Sequence, residues 1–67
     1  MQLAINGEFV EVPDSCRTIR ELLAHLRLDG KIVVVEHNGR ILNKNEHDAA
    51  DLADQDRIEM VHFVGGG

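Results

Sequence analysis

Asn-Gly stands at two places in this chain, Asn6-Gly7 and Asn38-Gly39, and each pair is flanked by apolar segments. Both residues of such a pair tolerate the positive φ that a two-residue hairpin loop demands, so each pair is a strong local signal for a reversal of the chain. Around the first pair, Leu3 and Ile5, then Val10 and Val12, alternate with more polar positions. The pattern predicts a β-hairpin over about residues 2–12, ended by Pro13-Asp14. The second pair leads from the β-branched run Ile32-Val33-Val34-Val35 into a short Arg40-Ile41-Leu42 strand. A continuous β-branched run suits a strand buried on both faces.

Between the hairpins lies one helix. Thr18-Ile19-Arg20-Glu21 has the spacing of a capping box, with Thr18 as N-cap and Glu21 reaching back to it. Ile19, Leu22, Leu23 and Leu26 fall at i, i+3, i+4 and i+7, which is one helical face. Asp29-Gly30 supplies a stop, so the helix is expected over 18–28. Residues 43–56 are polar and acidic, with Ala49, Ala50, Leu52 and Ala53 as apolar anchors, and read as an irregular crossover holding a short helical turn. Asp54-Gln55-Asp56 reads as a turn, and a last strand covers 57–64. This order predicts an α+β chain with the β-grasp, or ubiquitin-like, fold. Its mixed sheet has about four to five strands, with one main helix packed on one face. The last strand is expected centrally, parallel to the first. Residues 1–64 form the expected domain and 65–67 a protruding, mobile glycine tail.

Size and charge limit what such a domain can do. A chain of 67 residues buries only about 60% of its unfolded surface. Its thin core leaves no room for a deep small-molecule pocket, so a self-sufficient enzyme is not expected. With 12 Asp+Glu against 7 Lys+Arg, the net charge is -5. That sign opposes binding to nucleic acid or to an anionic membrane surface. The longest apolar run is too short to span a bilayer, and no signal peptide is expected. A single cysteine fits a reducing cytoplasm.

The candidate chemistry sits in Gly65-Gly66-Gly67. One reading is a frayed end with no role. The other is that Gly67 offers its carboxylate to a partner's active site, with Gly65 and Gly66 threading the entry channel because they lack Cβ atoms. An ionised carboxylate is a poor electrophile and must first be activated, most simply as an acyl-adenylate made from ATP. A sulfur nucleophile then displaces AMP and leaves a thiocarboxylate. The chain has no glycine-rich phosphate loop, so it binds no cofactor itself in this reading, and ATP belongs to an activating partner.

The sequence resembles the sulfur carrier proteins of thiamine biosynthesis, the ThiS branch of the ubiquitin-like ThiS/MoaD family, over essentially its whole length. The resemblance is carried by Leu3-Ala4-Ile5-Asn6-Gly7, Thr18-Ile19-Arg20-Glu21-Leu22-Leu23 and Lys31-Ile32-Val33-Val34-Val35-Glu36. It continues in Asp56-Arg57-Ile58-Glu59 and Val61-His62-Phe63-Val64-Gly65-Gly66-Gly67. It implies adenylation of Gly67 by a ThiF-type or MoeB-type adenylyltransferase, and thiocarboxylation with sulfur from a cysteine desulfurase. Delivery to thiazole synthase follows. A carrier for molybdopterin synthesis, a protein-conjugating modifier and a non-covalent β-grasp interaction module are the competing readings.

On the last strand, Ile58 and Met60 are expected inward. Val61 and Phe63 then lie on the helix-free face, where with Val64 they form a partner-docking patch or else complete the core. Cys16 reads as an inert loop thiol. His25, His37, His47 and His62 have no metal-ligand spacing. Glu46, Asp48, Asp51, Asp54 and Asp56 lack that of a calcium loop. They read as a solvated face, or as a docking surface for a basic partner.

Overall fold

A computed structural model describes residues 1–63. The strands are β1 (Gln2–Ile5), β2 (Glu8–Glu11), β3 (Val33–His37), β4 (Arg40–Leu42) and β5 (Arg57–His62). The helix α1 spans Ile19–His25, and a short 3-10 turn covers Lys44–Glu46. The five strands form one mixed sheet in the order β2-β1-β5-β3-β4. The expected hairpins form at both Asn-Gly pairs. Asn6 and Gly7 have φ of 50° and 84°, Asn38 and Gly39 of 49° and 89°, so all four turn positions sit where a primed turn requires them.

β5 lies centrally, parallel to β1 and antiparallel to β3. This is the expected β-grasp arrangement. The parallel contact is short, pairing Ala4 with Arg57 and Ile5 with Ile58. The antiparallel one runs from Val33 opposite His62 to His37 opposite Ile58. The end of the expected last strand at Val64, and the glycine tail 65–67, lie outside the described residues.

The helix begins as expected. The Thr18 hydroxyl accepts from the Glu21 N–H at 3.2 Å, and the Glu21 carboxylate accepts from the Thr18 N–H at 3.1 Å. It ends earlier than the expected residue 28. Leu26 is the C-cap, and Arg27 takes φ 61°. The Arg27 N–H donates to the Ala24 carbonyl and the Leu28 N–H to the Leu23 carbonyl, at 3.0 and 2.8 Å. This is a Schellman closure with arginine at the position glycine favours. Leu28 packs against the core, and that contact turns the chain before Gly30 is reached.

Leu3, Val12, Ile19, Leu22, Leu23, Val35, Leu42, Ile58 and Met60 form the core between α1 and one face of the sheet. Fully burying a leucine or isoleucine contributes about 1.5–3 kcal/mol, and Leu3, Ile19, Leu22 and Ile58 are all fully buried. Cys16 belongs to this layer at 5% exposure, so its loop thiol is buried as well as unpaired. In the crossover, Ala50 and Leu52 pack on the core whereas Ala49 and Ala53 are exposed. The expectation that β3 is buried on both faces is wrong. Val35 is fully buried, but Val34 is 45% and Ile32 72% exposed. The helix covers one face of the sheet, and no described element covers the other.

The acidic crossover is also more structured than a solvated face. The Asp56 carboxylate accepts from the Ala53 N–H at 2.9 Å and from Asn38 Nδ2 at 3.0 Å, and bonds His37 Nε2 at 2.8 Å. An ionised carboxylate only accepts, so Nε2 carries the proton. Burial raises the Asp56 pKa, but the bonds from His37, Asn38 and Ala53 outweigh it and hold the group below the usual range. Asp54 accepts from the Gln2 N–H at 2.6 Å, which lowers its pKa. Asp48 pairs with Arg20 and Glu46 with Arg40. These carboxylates pin the crossover to the helix and to both hairpins. Asp51 contributes by its backbone, bridging to Thr18.

Candidate functional site

The site grows from the parity of β5. Ile58 and Met60 are buried, at 0% and 8% exposure, whereas Val61 and Phe63 are 60% and 62% exposed. Alternation along a strand sends neighbours to opposite faces. Val61 and Phe63 therefore lie on the helix-free face, the outcome in which they do not complete the core.

Register then shows what surrounds them. Val34 stands opposite Val61, and Glu36 opposite both Glu59 on β5 and Ile41 on β4. The Phe63 N–H donates to the Ile32 carbonyl at 3.2 Å, which continues the pairing beyond the strand. Three ranks cross this face. One holds Ile41, Glu36 and Glu59, the next Val34 and Val61, and the last Ile32 and Phe63. Ile41 is 68% exposed. Ile32, Val34 and Ile41 extend the patch beyond the sequence expectation. The signal for Ile32 and Val34 was present in the β-branched run, but reading that run as buried on both faces hid it; Ile41 lay in the short Arg40-Ile41-Leu42 strand. Exposed Phe9 shares the face but pairs with Ala4 on the far side of β1.

Val64 and the expected reactive residues Gly65, Gly66 and Gly67 lie outside the described residues. What the structure supplies is their point of departure, because Phe63 is at the edge of the apolar rank and directly precedes them in sequence.

Two further features were not foreseen. The side-chain amide of Asn6 bonds both backbone groups of Met60, at 2.8 and 3.1 Å, and so steadies β5 just before Val61. His47, 8% exposed, has its Nε2 buried without a partner. It lines an open surface groove of about 950 Å³ with Arg20, Lys31 and Lys44 among its walls. The groove lies between the helix, the segment 28–33 and the crossover, and the core residue Leu23 is part of its lining. Among the described residues, no three His, Cys, Asp or Glu side chains are grouped to hold a metal ion, and no helix is long and apolar enough to cross a membrane.

Comparison with known proteins agrees with this architecture. The ThiS family model matches residues 1–67. A sulfur carrier protein ThiS of Bacillus subtilis is 46% identical over 65 residues, covering 97% of this chain and 98% of that protein. A thiazole synthase of Paramagnetospirillum magneticum is 39% identical over 67 residues; the match takes in all of this chain but 20% of that longer protein. The crystal structure of a thiamine biosynthesis protein (ThiS) from Geobacter metallireducens superposes with a TM-score of 0.82 at 35% identity, covering 100% of both chains. With the family model matching residues 1–67 and a near full-length relative at 46% identity, this chain belongs to the ThiS family.

Proposed function

We propose that this protein carries sulfur for assembly of the thiazole ring of thiamine, on the carboxyl group of Gly67. The observation that carries the reading is the near end-to-end likeness to a sulfur carrier protein at 46% identity. The likeness to part of a thiazole synthase supports that enzyme as the recipient. The protein is a co-substrate and catalyses nothing itself.

In this reading residues 1–64 are the body and 65–67 the reactive arm. An adenylyltransferase of the ThiF or MoeB type binds ATP and transfers AMP to the Gly67 carboxylate, releasing pyrophosphate. A persulfide supplied through a cysteine desulfurase displaces AMP to give an acyl disulfide, and a second thiol then cleaves its S–S bond, leaving Gly67 as a thiocarboxylate and the two thiol sulfurs as a disulfide. The sulfur is now the better nucleophile and is delivered to thiazole synthase. Gly65 and Gly66 pass through the partner's channel, while Val61, Phe63 and Val64 bear on the channel mouth. The setting is the cytoplasm, where ATP and the partner enzymes are at hand.

Intact-mass analysis after incubation with ATP, the cognate adenylyltransferase and a sulfur source tests this directly. Replacement of one oxygen by sulfur at Gly67 is expected. Absence of both adenylate and thiocarboxylate with competent enzymes overturns it.

A further inference from the structure

We infer that the helix-free sheet face receives a partner protein that presents an arginine ringed by apolar side chains, with the guanidinium set between Glu36 and Glu59. The inference rests on the carrier reading for the partner's identity, thiazole synthase.

The argument starts from register. Glu36 and Glu59 stand directly opposite each other on neighbouring antiparallel strands. Side chains so placed have Cβ atoms about 4.5–5.5 Å apart, and like charges there oppose folding. Among the described residues neither carboxylate joins an ion pair within 4.0 Å; the cations that do so are the N-terminal amine, Arg20, His37 and Arg40. Arg57 lies two positions before Glu59 on the same face, yet among the described residues it joins no ion pair within 4.0 Å. The isolated protein thus holds a destabilising pair of negative charges in the centre of its sheet.

The surroundings decide what would relieve it. Val34 and Val61 form the next rank, and Ile41 flanks Glu36. Exposed ion pairs contribute little in water. A partner that covers these three apolar side chains would exclude water around the carboxylates and strengthen any charge pairing beneath it. Two carboxylates side by side suit the planar, five-donor guanidinium better than a point-like ammonium. A metal ion fits poorly, because no third His, Cys, Asp or Glu ligand joins the pair among the described residues. The rank order also gives a distance. Phe63 lies four positions after Glu59, which at ~3.3 Å per residue places the arginine about 13 Å along the chain from Phe63.

The experiment measures affinity for the cognate thiazole synthase at low and high salt, using the full chain and the variants E36Q/E59Q and V61D. We expect E36Q/E59Q to bind roughly tenfold more weakly at low salt, with the difference shrinking at high salt. Its thermal midpoint should be unchanged or higher, which excludes misfolding as the cause. V61D should bind weakly at both salts. Native affinity in E36Q/E59Q at low salt overturns the arginine contact. If V61D alone is impaired, the face still docks the synthase without it. If the native chain does not bind the synthase, the inference falls with its partner. Intact mass of Gly67 after activation judges the carrier reading separately, because thiocarboxylate formation does not depend on the synthase.

Discussion

Asn6 and Met60 are joined by a two-bond ring: Asn6 Oδ1 accepts from the Met60 N–H at 2.8 Å, and Asn6 Nδ2 donates to the Met60 carbonyl at 3.1 Å. A turn side chain here takes the place of a strand backbone. The Asn6 backbone adds an N–H bond to the Ile58 carbonyl at 2.8 Å. Parallel pairing between β1 and β5 ends at Ile5 and Ile58, so the amide carries the contact on to the residue before Val61. β5 is thereby held on one side by Asn6 and on the other by β3 up to His62.

Two substitutions separate the roles of Asn6. Asn6→Gly keeps the ease of positive φ and loses the amide, and is expected to cost about 1–2 kcal/mol. Asn6→Ala loses both and should cost about 1–2 kcal/mol more, because a Cβ disfavours φ of 50°. Urea unfolding of the three proteins checks the order. Equal stability of native and Asn6→Gly would show that the ring contributes nothing.

The helix end offers a stabilising change. Arg27 occupies the left-handed position of the Schellman closure at φ 61°, where a side chain costs about 1–2 kcal/mol. Glycine removes that strain but gains freedom in the unfolded chain. Arg27→Gly is therefore expected to raise stability by about 0.5–1 kcal/mol, read as a higher urea midpoint with an unchanged slope.

Asp56 should make stability depend on acid. Its folded pKa lies below the ordinary aspartate value because His37, Asn38 and the Ala53 N–H all bond the ionised form. A depressed carboxylate contributes stability that is present above its unfolded pKa and is lost as pH falls through the folded value. Native stability is expected to fall between about pH 5 and pH 2, and Asp56→Asn should fall less steeply. Parallel curves for the two proteins would assign the acid sensitivity to other carboxylates.

Removal of Gly66 and Gly67 should separate folding from function. Among the described residues the core lies between Leu3 and Met60, so the thermal midpoint of the shortened chain should match the native one. Its ATP-dependent adenylation should vanish. A lowered midpoint would mean that the end of the chain contributes to the fold.

Features set by near neighbours were legible in the residues alone. The two Asn-Gly turns, the Thr18–Glu21 box and the alternation of Ile58 and Met60 with Val61 each follow from backbone preference or from contacts within a few residues. The proposal for the terminal glycines rests on a local property of the same kind, since their lack of side chains belongs to the residues alone. The tertiary structure decided the rest. Arg27 adopts its conformation because Leu28 is drawn onto the core, a contact that outweighs the local preference for Gly30. Val34 and Ile32 are exposed because α1 covers the opposite face and no other described element covers theirs; a β-branched run reads the same whether one or both of its faces are covered. Glu36 meets Glu59 only through the register of two strands separated by the whole crossover. Such pairings are set by the summed packing of the core, and no stretch of sequence shorter than the fold contains them.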